Sequence, residues 1–148
     1  MSSFDQDQLY RQIVEGSQEA IIFADREGKI RLWNAGATTI FGYSAEEVLG
    51  RSLDLIIPER QQKRHWEGYQ KVMETGVTRY GAELLSVPAA RKDGTRISVE
   101  FSIVLVSDDA DQPAGVAAIM RDVTERWRQE REMKERLAAL AQQERVEK

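Results

Sequence analysis

The chain has 148 residues, of which 41% are hydrophobic and 31% charged, with a formal net charge of −4. That is the length of one ordinary domain, with core enough to fold without disulfides or metals, and the absence of a basic excess excludes a stand-alone nucleic-acid binder. With no cysteine and a single histidine, His65, disulfide scaffolds, cysteine-zinc and iron–sulfur sites, thiol catalysis and multi-histidine zinc sites are excluded as well.

The opening residues, MSSFDQDQ, lack the basic and apolar regions of a signal peptide, and no run approaches the ~18 apolar residues of a membrane span. The expectation is a cytoplasmic protein, or the cytoplasmic piece of a larger one, with no membrane partner.

Leu9, Ile13 and Val14 recur at helical spacing and predict a short amphipathic helix ending near Gly16. Ile21-Ile22-Phe23-Ala24, then Asp25-Arg26-Glu27-Gly28, then alternating Lys29 to Trp33 read as strand, tight turn and strand. Ala35 to Phe41 predicts a short helix stopped by Gly42. Ser44-Ala45-Glu46-Glu47 is a capping box for the next one. Pro58 opens a longer helix, from about Glu59 to Glu74, whose apolar face carries Trp66, Tyr69 and Met73 with His65 and Val72 beside them.

After Gly76 the pattern turns to strands. The first is expected over Thr78 to Val87 and the second over Thr95 to Val106, with Ile97, Val99, Phe101 and Ile103 on its buried face. The third is expected over Gly115 to Asp122, beyond an acidic loop from Ser107 to Pro113. Residues 125 to 148 are dense in Glu, Arg, Lys and Gln and form a helix with favourable Glu130/Lys134 and Glu132/Arg136 pairs. Met133, Leu137 and Leu140 make a thin seam at 4-3 spacing. A lone exposed helix of this kind is marginal, so pairing with a second copy is expected. The whole reads as an α+β domain, divided into an N-terminal helix (1–16), a core (17–123) and a C-terminal helix (124–148).

The sequence holds no Walker A, dinucleotide GxGxxG, HExxH or GxSxG pattern. The acidic pairs Glu46/Glu47 and Asp108/Asp109 fall in a cap and a loop, where solvation explains them. No enzyme is expected. The chemistry-bearing cluster is His65-Trp66-Glu67-Gly68-Tyr69. One reading makes Trp66 and Tyr69 core residues and His65 a surface or satisfied one. The other makes this helix face the wall of a small-molecule or heme site, with neutral His65 supplying a nitrogen to iron or a hydrogen bond to an organic ligand. From the residues alone the core reading comes first.

The order of parts resembles a PAS domain, the sensor module of bacterial signalling proteins. The resemblance is carried by Ile21-Ile22-Phe23-Ala24-Asp25 with Gly28-Lys29-Ile30, and by Trp33-Asn34-Ala35 followed by Phe41-Gly42-Tyr43-Ser44-Ala45-Glu46-Glu47-Val48-Leu49-Gly50. Ile57-Pro58, Arg91-Lys92-Asp93-Gly94 and Arg121-Asp122-Val123-Thr124-Glu125-Arg126 complete it. It implies a five-stranded antiparallel sheet with helices on one face and a ligand pocket between the sheet and the helices from Ala35 to Glu74. His65, Trp66, Tyr69, Met73, Leu85 and Met120 are the candidate lining.

The resemblance further implies a homodimer paired through the terminal helices (Leu9, Ile13, Met133, Leu137, Leu140), with Asp122 and Thr124 at the joint that passes the signal to a downstream effector domain or partner protein, as in two-component systems. Heme-binding oxygen sensors of the family place their iron-binding His three residues before a Tyr. Here Trp66 holds that position and His65 is four before, and the position of their oxygen-bonding Arg reads as Leu85. A smaller organic ligand is therefore expected, with heme on His65 (or on Met120) and a ligand-free interaction domain as alternatives. A covalent flavin adduct and a coumaroyl chromophore are excluded, because both need a cysteine.

Overall fold

A computed structural model describes residues 4–77 and 84–147. Helix α1 (Gln6–Gly16) leads into strands β1 (Ala20–Asp25) and β2 (Ile30–Trp33). Helices α2 (Ala35–Phe41) and α3 (Ala45–Val48), a 3-10 turn (Leu53–Ile56) and helix α4 (Glu59–Thr75) follow. Strands β3 (Leu85–Ala90), β4 (Arg96–Ser107) and β5 (Pro113–Asp122) close the sheet, and helix α5 (Thr124–Glu147) leaves it. The five strands pair antiparallel in the order β2-β1-β5-β4-β3, so the last strand lies in the middle.

Alternation decides which face is inside. In β1, Ala20, Ile22 and Ala24 are buried, while Ile21 and Phe23 between them are half-buried. Cross-strand register carries the inner face to Ala118 and Met120 of β5 and on to Phe101 and Ile103 of β4. Ile97 and Val99 are buried and Phe101 and Ile103 half-buried, so the expected face of β4 does turn inward. Phe41 and Val48, both fully buried, lock the short helices onto that core.

Asn34 is the one buried polar side chain of the described core. It caps α2, its Oδ1 accepting from Ala37 N–H (2.9 Å) and from Ile21 N–H (2.9 Å). Its amide donates to Val14 O (2.7 Å) and Glu19 O (3.0 Å), tying the end of α1 to the sheet. The capping box at Ser44 and Glu47 forms as the residues predict.

The last three strands differ in their bounds from expectation. β3 runs on to Ala90 through Pro88, because it is an edge strand, where a residue without an N–H is tolerated. Residues 78–83 of the strand expected there lie outside the described residues. β4 is displaced by one residue at each end, to Arg96–Ser107. β5 begins at Pro113, two residues early, since Pro113 pairs with Ser107 across a bulge that shortens the acidic loop.

Candidate functional site

The β1–β2 turn is built by Asp25. Its carboxylate accepts from the backbone N–H groups of Glu27 and Lys29, both at 3.0 Å, and from Arg31 Nε at 2.8 Å. Burial alone would raise its pKa; Arg31 and the two backbone N–H groups outweigh that and hold the carboxyl below its ordinary value. The turn closes at Gly28, whose φ of +80° suits glycine. A Cβ there would stand 2.2 Å from two ring carbons of Trp66. The indole of α4 thus rests directly on the turn's backbone, and its N–H donates to Asp54 Oδ1 at 2.7 Å.

One helical turn on, the Tyr69 hydroxyl donates to Ala24 O at 3.0 Å and to Asp25 O. Burial, seconded by the Asp25 charge, pushes its pKa up to about 12, so it stays a neutral donor that pins α4 to β1. β5 comes close enough here that a Cβ on Gly115 would lie 2.1 Å from Ala24 O.

Beside these contacts a cleft of about 460 Å³ opens. Trp66, Tyr69 and Met73 line it from α4, with Gln70 and Glu74 at its rim. Arg26 and Glu27 of the β1–β2 turn and Gln112 of the β4–β5 turn face them. Arg26 crosses between the two turns, its Nε donating to Pro113 O at 2.9 Å and its Nη2 to the same oxygen.

Of the six expected lining residues, the cleft brings together Trp66, Tyr69 and Met73. Leu85 and Met120 lie elsewhere. They belong to a row on the inner face, Leu85 opposite Phe101, Phe101 opposite Met120 and Met120 opposite Ala20. Met120 is seven residues along β5 from Pro113, roughly 20 Å away. His65 lies on the other flank of α4. At about 100° per residue, Trp66 and Met73 fall to one side of Tyr69, and His65 and Val72 to the other.

A porphyrin held by His65 would not sit in this cleft. The His65 Nδ1 is buried without a hydrogen-bond partner, the one feature that would suit a ligating role, and burial depresses the pKa of the ring. Yet the ring stands edge-on against Trp66, centroids 4.6 Å apart, and 5.7 Å from Tyr69, on the flank away from the cleft. Turning α4 to present His65 would break the Trp66–Asp54 and Tyr69–Ala24 bonds, and each orphaned group costs about 1–3 kcal/mol. Among the described residues no group of three or more His, Asp or Glu is arranged to hold a metal ion.

The joint between β5 and α5 is as specific as the cleft. Asp122 Oδ1 accepts from Thr124 N–H at 2.9 Å, and Thr124 Oγ1 accepts from Ser98 N–H at 2.9 Å. Val123 is buried and donates its N–H to Ser98 O at 2.9 Å. Arg126 pairs with Glu100 at 2.5 Å. Both junction residues expected from the sequence therefore form hydrogen bonds at the joint, and Ser98 is the partner that spacing could not name. Leu9 is half-buried, whereas Ile13, Met133, Leu137 and Leu140 are more than half exposed.

Residues 14–128 match the PAS fold family. The chain belongs to that family. A PAS domain structure from Colwellia psychrerythraea superposes with a TM-score of 0.71 at 23% identity, covering 82% of this chain and 99% of that one. An uncharacterized protein of Azorhizobium caulinodans is 32% identical over 86% of this chain and 17% of its own length. The oxygen sensor protein DosP of Escherichia coli is 23% identical over 90% of this chain and 16% of its own length. Sensor protein FixL of Bradyrhizobium diazoefficiens is 28% identical over 63% and 18%. The PAS chain thus spans under a fifth of each of these curated relatives, two of which are sensors by name. Among its described residues no helix is long and apolar enough to cross a membrane.

Proposed function

We propose that this PAS domain is a cytoplasmic sensory module, not itself an enzyme, that binds a small ligand in the cleft beside α4 and relays occupancy through α5. The observation that carries this reading is the path of β5. It starts at Pro113, whose carbonyl holds Arg26 at the cleft, and ends at Asp122, which caps α5. A ligand that shifts Arg26 or the β4–β5 turn therefore pulls on the strand that positions Thr124. The ligand has to favour one of two arrangements of that strand, since equal affinity for both relays nothing.

The output lies in a further domain or a partner protein that α5 reaches, and the active species is a homodimer. The exposed Met133, Leu137 and Leu140 support this, because a solvated single helix of this composition gains little from packing. Exposed Ile13 on α1 and Val104 on the outer face of the sheet add apolar surface that a second copy would cover. The expected result is a dimer in sedimentation of the wild type and a monomer in Leu137→Glu/Leu140→Glu, where the substitutions put charge in the seam. Wild-type protein that sediments as a monomer at tens of micromolar (a concentration chosen roughly for so short a seam) would contradict the dimer.

A further inference from the structure

We infer that the cleft takes a zwitterion, an amino acid with an apolar side chain, its carboxylate held by Arg26 and its ammonium by Glu27 and Glu74. The inference rests on the reading that this cleft is the ligand site, and it follows from the arrangement of charge around it. The floor is apolar, Trp66, Tyr69 and Met73. The Tyr69 hydroxyl and the Trp66 N–H are turned to protein acceptors, so those two rings offer surface and no further donor. The rim carries one cation and two carboxylates.

Arg26 has five N–H donors and gives one from Nε and one from Nη2 to Pro113 O. The rest of the fork suits a carboxylate, the planar anion it matches best. Glu74 accepts from Gln70 through Oε1 at 3.2 Å, and its second oxygen is available for an ammonium.

Other ligand classes conflict with this rim. A phosphate or nucleotide would face two carboxylates across the cleft. A simple alkylammonium would leave Arg26 facing a like charge. A wholly apolar molecule would strip water from three charged groups and return nothing to them. A molecule with one charge of each sign and an apolar body meets every group present, and the volume lies within the usual range for small-molecule sites.

The test is calorimetric titration of the intact protein with L-leucine, L-methionine and L-phenylalanine, each beside its decarboxylated amine and its deaminated acid. The expected result is binding of at least one amino acid, weakened about tenfold or more in both of its analogues, as loss of a charge-assisted contact implies. Glu74→Gln should weaken that amino acid about tenfold and leave the acid unchanged, and Arg26→Gln should do the converse with the amine. Both residues are exposed, so neither change threatens the fold. An amine or acid that binds as tightly as its parent overturns the zwitterion, and so does an absence of binding by all three amino acids. To separate that failure from failure of the site, wild type and Met73→Trp, whose larger side chain occupies the cleft, are incubated with a cell metabolite extract. A small molecule retained only by the wild type leaves the site standing and removes the ligand class. Retention of nothing removes both.

Discussion

Replacing Asn34 by alanine is expected to cost about 3–5 kcal/mol of folding free energy, measured by urea denaturation. The reason is the number of groups one amide satisfies. Its oxygen serves Ile21 and Ala37 N–H, and its nitrogen serves Val14, Glu19 and, at 3.4 Å, Ser17 carbonyls. Truncation removes a helix cap, worth about 1 kcal/mol, and strands backbone groups of three elements in a buried place. Asn34→Asp separates the two halves of the amide. It keeps both accepted bonds and sets a carboxylate against the three carbonyls, so its folded pKa must rise above the unfolded value. Stability contributed by the protonated form is then present at low pH and lost as pH rises through that folded pKa. Asn34→Asp should therefore lose most of its deficit relative to wild type in acid and show the full deficit at neutral pH. Equal stability of Asn34→Ala and wild type would show that water satisfies these groups.

Gly28→Ala is expected to cost about 2–4 kcal/mol, from two separable causes. One is the backbone: φ of +80° costs about 1–2 kcal/mol for a residue with a Cβ. The other is the contact: the new Cβ would overlap the Trp66 ring at 2.2 Å, and the ring is held on its far side by Asp54. A double-mutant cycle divides them. In a Trp66→Leu background the overlap is gone and Gly28→Ala should cost only the backbone part, giving a coupling of about 1–2 kcal/mol. Strict additivity would mean that Trp66 does not rest on the turn.

The architecture was legible in the residues because each level agreed with the next. Alternation in Ile97 to Ile103, the Ser44–Glu47 box and the Asp122–Thr124 junction all act locally, within a few positions of one another, and the structure forms each of them. The end of β3 was not legible, because whether a strand can continue through Pro88 depends on its being an edge, which is a property of the sheet. The candidate site was half legible. Trp66, Tyr69 and Met73 announce themselves by helical spacing. Arg26, Glu27 and Gln112 read as ordinary turn residues, and only the pairing of β1 with β5, which brings Asp25 opposite Gly115, puts their turns side by side. Asp54 gave no sign of serving the Trp66 indole twelve residues on. Leu85 entered through a family position and Met120 as a second possible holder of iron, and cross-strand register sets both in a row on the inner face, away from this cleft.

In the proposed reading the cleft beside α4 and the start of α5 are mechanically joined through β5. Hydrogen–deuterium exchange of wild type against Met73→Trp is the measurement, since Met73 lines the cleft and is itself part of neither β5 pairing nor of the Asp122–Thr124–Ser98 joint. The expected result is a change of about threefold or more in exchange rate for amides from Val116 to Trp127, including Val123 bonded to Ser98 O and Trp127 bonded to Val123 O, with α2 and β2 unaltered. A change confined to the cleft itself, with the first turn of α5 exchanging as in wild type, would contradict it.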